Sequence, residues 1–306
     1  MFDKKRGLTL CRPRFLFYNM AERLTDTGGK RLCREEMSKT KVINAVSDNY
    51  TEKETEFIKS CQSFVNNYAD SFLNDSDDQV IAAVKMKLEH TGYVEKYARD
   101  LAIELGLKGH DVFLSELLGL LHDVGRFRQF QVYKTFVDAQ SEDHAQLGLK
   151  VISETGLLDG LSSEDRDLVC FAIANHNKRA IMPTDDRTLL FAKIIRDADK
   201  LDIFRVLSPY LEPSDGLGVN PVFLDEFSRG IQCDYSKIET LDDRKIVRLI
   251  WVYDINFAWT MKRVVEKGYI DRIIECLLPN DSLTVGINRL RAHVEKKCQE
   301  KDFQYL

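Results

Sequence analysis

Between residues 51 and 301 the apolar side chains recur at intervals of three and four, and no stretch alternates with period two. That pattern builds amphipathic helices and supplies nothing for a half-buried strand, so the fold class expected is all-α. The spacing predicts helices over 51–69, 78–105, 111–122, 141–155, 162–177, 187–207, 222–229, 242–267, 269–277 and 281–301. Punctuation agrees with it. Asn74-Asp75-Ser76-Asp77 makes a turn and cap, Gly106 and Gly109 end the second helix, and Gly125 stops the third. Ser141 is the expected N-cap of the next. Between them 126–140 reads as an aromatic, polar loop with Phe127, Phe130, Tyr133 and Phe136. The 242–267 stretch, apolar on nearly all sides around Trp251 and Trp259, reads as central packing.

A chain of 306 residues with 44% hydrophobic content can bury a sizeable core. Its seven cysteines are scattered and form no C-x-x-C pair, which argues against a disulfide framework and against a zinc-thiolate site, and fits reduced thiols in a cytosol. No run approaches the ~20 apolar residues that span a bilayer, and the N-terminus is too interrupted by charge for a secretory signal. A cytoplasmic protein with no membrane partner is expected. The net charge of -5 offers no general attraction for nucleic acid. Residues 1–41 are the exception, with eleven Lys/Arg against five Asp/Glu. Lacking a sustained period, 1–40 reads as a disordered basic leader or as an over-called start, with Met37 the true one, ahead of one helical domain over 41–306. There is no Walker loop, no G-x-G-x-x-G and no nucleophile elbow.

The chemistry gathers around Leu120-Leu121-His122-Asp123-Val124-Gly125-Arg126, where a leucine-rich helix closes on an adjacent His-Asp pair. A charged Asp there costs several kcal/mol unless something compensates it. A metal ion does so; the ordinary alternative is a polar C-terminal turn with His122 at the negative end of the dipole. Other groups share the same anomaly. His90 lies on an apolar face with Val94, Ala98 and Leu101, His176 shares a face with Leu168 and Ala172, and Asp199 extends the stripe of Phe191 and Ile195. His144 falls in the first turn of its helix. Each alone reads as a satisfied core or cap residue, whereas six in order are hard to dismiss.

The order H…HD…H…H…D, opened by Leu88-Glu89-His90-Thr91 and closed by Arg196-Asp197-Ala198-Asp199-Lys200-Leu201-Asp202, resembles the HD-domain superfamily of metal-dependent phosphohydrolases over about 78–207. The resemblance implies an HD helical bundle with a helical extension over 208–306. It maps a four-ligand core onto His90, His122, Asp123 and Asp199, and the further His144 and His176 match the binuclear branch. Two divalent ions are then expected, with Asp123 bridging, His90, His122 and Asp199 on one side and His144 and His176 on the other. Imidazole and carboxylate donors without thiolate suit Fe, Mn, Zn or Co and leave positions open for water and substrate. Such a pair of ions serves in-line phosphoryl displacement. The implied enzyme hydrolyses a phosphomonoester or phosphodiester of a nucleotide or other small phosphorylated metabolite. Asp123 is its catalytic carboxylate, and Arg126 and Lys200 are candidates to hold the phosphate. Two alternatives remain open: an HD-fold mixed-valent di-iron oxygenase, and a non-catalytic nucleotide sensor. No G-Y-P follows His122, so the cyclic di-GMP branch is not supported. Asp143 reads either as an acceptor orienting His144 or as first-turn dipole compensation, Asp197 and Asp202 as cap or surface carboxylates, and His110 and His293 as outside the pattern.

Overall fold

The computed structural model describes residues 50–302, and over them it is helical with no strand. The expectations for 1–40, including the choice of Met37 as start, lie outside the described residues. The helices run α1 Glu52–Phe72, α2 Asp78–Glu104, α3 His110–Leu121, α4 Gly125–Tyr133, α5 His144–Thr155, α6 Ser163–His176, α7 Asp186–Leu207, α8 Pro221–Arg229, α9 Leu241–Ile250, α10 Ala258–Glu266, α11 Tyr269–Glu275 and α12 Leu283–Gln299. Their starts follow side-chain chemistry. Thr51 and Glu54 form a capping box on α1, and Asp77, Ser162 and Asp185 accept from the first turns of α2, α6 and α7.

Helix α3 is the axis around which α1, α2, α6 and α7 pack. Every residue from Val112 to Leu121 is buried, because α2 covers one side and α1, α6 and α7 the others. Gly119 permits the closest approach: a Cβ there would lie 2.6 Å from the Cα of Glu95 on α2. One hydrophobic cluster runs from Ile58 in α1 to Leu290 in α12. Among the described residues no helix is long and apolar enough to cross a membrane, and Cys61, Cys170, Cys233, Cys276 and Cys298 are free thiols.

Three boundaries differ from the sequence reading. Gly125 does not stop a helix but opens α4, so much of the expected 126–140 loop is helical, followed by a short 3-10 turn Asp138–Gln140. The reason for glycine is contact: a Cβ at 125 would lie 2.4 Å from the His144 carbonyl oxygen and 2.5 Å from the Gly148 nitrogen. Helix α5 is capped by Asp143, which accepts from Ala145 N and Gln146 N, while the Ser141 hydroxyl donates to the Val137 carbonyl instead. The 242–267 stretch breaks after a 3-10 segment, Trp251–Asp254, and restarts as α10. Carboxylates from elsewhere satisfy the freed backbone donors, Asp197 at Asn256 N and Phe257 N, and Asp302 at Ala258 N and Trp259 N.

Candidate metal centre

Helices α2, α5, α6 and α7 and the turn between α3 and α4 converge on one buried spot. The turn is made by Val124 N donating to Leu121 O and Arg126 N to Asp123 O, which lets His122 and Asp123 face inward together. All six sequence-predicted ligands meet there. His90 Nε2 lies 3.2 Å from Asp199 Oδ1 and 3.5 Å from Asp123 Oδ2, and His122 Nε2 lies 3.6 Å from Asp123 Oδ2 and 3.7 Å from Asp199 Oδ1. On the other side His144 Nε2 and His176 Nε2 lie 3.4 and 3.7 Å from Asp123 Oδ1, and 2.9 Å from each other. The two oxygens of Asp123 thus turn toward different groups, His90–His122–Asp199 and His144–His176. Asp199, with its side chain 15% exposed, is the most open of the six.

The hydrogen bonds fix what these groups offer. His122 Nδ1 and His176 Nδ1 contact the carbonyls of Gly119 and Ile173 at 2.8 and 2.7 Å, and carbonyls only accept. His90 Nδ1 lies 2.7 Å from Asp202 Oδ2, and His144 Nδ1 lies 2.7 Å from Asp138 Oδ2. With Nδ1 of each ring donating to these acceptors, four Nε2 lone pairs point at one another and at two carboxylates. His90 Nε2, His122 Nε2 and Asp123 Oδ1 are buried and without hydrogen-bond partners. A convergence of acceptors with orphaned lone pairs is what a cation site requires, and these residues fit divalent metal ions. The geometry supports two such groups, His90–His122–Asp199 and Asp123–His144–His176. The neighbouring set Asp138–Asp143–His144 is already spoken for by the His144 Nδ1 contact, the α5 cap and Lys178.

Electrostatics agree. Burial opposes ionisation of Asp123, yet Lys87 and His122 hold it well below the usual carboxylate range. Burial likewise opposes charge on Asp199, and the neighbouring His122 and His90 rings hold it well below the usual carboxylate range. Burial, reinforced by the charge of Arg126, pushes His144 down to about 3, so its ring is neutral at physiological pH.

Several participants were not singled out in the sequence. Asp202, read as a cap or surface residue, is fully buried and aims His90, with Arg205 Nε 2.6 Å from its other oxygen. Asp138, not Asp143, aims His144. Lys87, one turn before His90, is buried with Nζ 2.7 Å from Asp123 Oδ2. The carboxylates of the Asp197–Asp202 run divide by direction: Asp199 faces the imidazoles, and Asp197 is buried against Asn256 and Phe257, where burial raises its pKa.

Arg126 and Lys200, the cations expected to hold phosphate, each meet acceptors within the protein. Arg126 Nη1 donates to Gln129 Oε1, the Phe136 carbonyl and Asp138 Oδ1, and its Nε lies 3.5 Å from Asp123 Oδ1. Lys200 Nζ lies 2.5 Å from Asp254 Oδ2. His110 bonds Glu54 and Asp165, and His293 packs on Tyr253; neither joins the cluster.

Residues 88–203 match the family model of the HD domain, a span that contains all six converging residues. No curated protein and no solved structure matches the chain. Over 88–203 the chain is thus similar to HD domains, a class whose members are typically metal-dependent hydrolases, and the donor set within that span is suited to divalent metal ions.

Proposed function

We propose that this protein is a binuclear metal-dependent phosphohydrolase acting on a phosphomonoester or phosphodiester of a nucleotide or another small phosphorylated metabolite. The observation that carries this reading is the division of Asp123: one oxygen toward His90, His122 and Asp199, the other toward His144 and His176. When bound, a pair of divalent ions supplies Lewis acidity toward phosphoryl oxygens and lowers the pKa of water. The chain's own part is to keep four Nε2 lone pairs aimed inward, through Asp202, Asp138 and the carbonyls of Gly119 and Ile173. Asp123 and Asp199 supply the negative charge that retains the ions. The substrate approaches past Asp199, the most open of the six, and the buried walls on the other sides exclude bulk water, which strengthens every charge contact inside.

The test is elemental analysis of freshly purified protein together with a panel of phosphomonoesters and phosphodiesters. Metal near two per chain and phosphate release abolished by Asp123→Ala are expected. Oxygen consumption by iron-loaded protein, with no phosphate released under manganese, replaces this reading by the oxygenase one.

A further inference from the structure

We propose that Lys87 is a catalytic residue that donates to a phosphoryl oxygen of the substrate, an inference that rests on the phosphohydrolase reading above. Helix α2 places Lys87 one turn ahead of His90 with 7% of its surface exposed. Its Nζ contacts Asp123 Oδ2, the oxygen facing His90, His122 and Asp199, so the ammonium borders the part of the centre that opens past Asp199.

An ammonium has three N–H donors. Among the described residues Lys87 has one hydrogen-bond acceptor, Asp123, and its remaining contact is the Phe136 ring, 5.5 Å from Nζ. Two donors therefore stand unfilled in a nearly closed place, which is costly unless an acceptor arrives. A phosphoryl group brings several oxygens bearing negative charge, and a compact ammonium on a flexible stem suits them. Of the three cations near the centre, Lys87 is the one that contacts Asp123 Oδ2; Arg126 lies on the Oδ1 side, with Nε 3.5 Å from that oxygen, and Lys200 pairs with Asp254. The contact moves no proton, and the positive charge of the side chain offsets the charge that builds on the phosphoryl oxygens during displacement.

A merely structural Lys87 would only hold the rotamer of Asp123, and two variants separate the roles. Lys87→Gln keeps a donor for Asp123 and removes the charge; Lys87→Met removes both. Wild type and both variants are loaded with manganese, their metal content counted, their affinity for inorganic phosphate measured by calorimetry, and their hydrolysis of p-nitrophenyl phosphate followed. Lys87→Gln is expected to keep the wild-type metal content, bind phosphate about tenfold more weakly and lose about 100-fold in kcat/KM, with Lys87→Met no better. Wild-type phosphate affinity and turnover in Lys87→Gln overturn the proposal. So does a Lys87→Met protein that has lost its metal while Lys87→Gln keeps metal and full turnover, since that pattern makes Lys87 a positioning residue for Asp123. If the wild-type protein binds metal but neither binds nor releases phosphate, the phosphohydrolase reading itself fails and this proposal with it.

Discussion

His144 Nε2 and His176 Nε2 face each other at 2.9 Å while their Nδ1 atoms are engaged by Asp138 and by the Ile173 carbonyl. Two opposed lone pairs at that separation repel unless a cation lies with them. A proton is a poor occupant at neutral pH, because burial and Arg126 depress His144 to about 3. His144→Ala should therefore remove one bound metal and leave the other with His90, His122 and Asp199. Metal counting on the purified variant checks this, and loss of both metals, or of none, contradicts two separate groups.

His90 reaches the centre with its Nδ1 held by Asp202, which is itself held by Arg205. Asp202→Asn weakens the acceptor that keeps the His90 proton on Nδ1. Partners of this kind are worth 10- to 100-fold in metal affinity, so a loss of about that size is expected in chelator competition, confined to one of the two metals. Equal weakening of both would mean that Asp202 acts on the fold rather than on His90.

The six converging residues were legible in the sequence because a metal centre demands imidazole and carboxylate where a helix face should be apolar, and such exceptions show against a regular period. Their supporting partners were not. Asp202 and His90 are far apart in the chain, and periodicity records which face a residue occupies, not what it meets there. Lys87 sits on the buried face of α2, where a long aliphatic stem with a charged tip reads as an ordinary snorkelling lysine. The 126–140 stretch hid a helix because two of its inward-facing residues, Arg126 and Gln129, are polar and bond each other, which erases the apolar period. The break before α10 was hidden for the same kind of reason: it is stabilised by Asp197 and Asp302, both distant in sequence.

Gly125 couples the His-Asp turn to α5, and the coupling is testable. The Cβ of Gly125→Ala would meet backbone atoms of His144 and Gly148 that have no rotamer with which to move aside. A destabilisation of about 2–3 kcal/mol is expected, with reduced metal content because α5 carries His144. Gly92 on α2 is the control, since nothing lies within 4 Å of a Cβ there. Gly92→Ala should stabilise by about 0.5–1 kcal/mol through helix propensity. Thermal melts of the two variants beside wild type decide it, and equal effects would refute the close-approach account.

Away from the centre, Glu95 gives the protein a pH dependence of known sign. It lies on α2 with Oε1 accepting from Gln62 Nε2 at 2.6 Å, and burial raises its carboxyl from 4.5 to about 7, the Gln62 hydrogen bond and Arg99 opposing and Glu116 adding to the rise. Between those two values the folded protein holds a proton that the unfolded chain has released. Stability from this group is therefore greatest on the acid side and falls as pH rises from about 4.5 to about 7. The loss amounts to at most about 3 kcal/mol above the upper value. Glu95→Gln keeps an amide that can bond Gln62 and cannot ionise, so it should melt several degrees above wild type at pH 8 and close to it at pH 5. The imidazoles of the candidate metal centre are unchanged between the two proteins and cancel in that difference. A gap between the two melting temperatures that is the same at both pH values would show that Glu95 is not buried as a neutral acid.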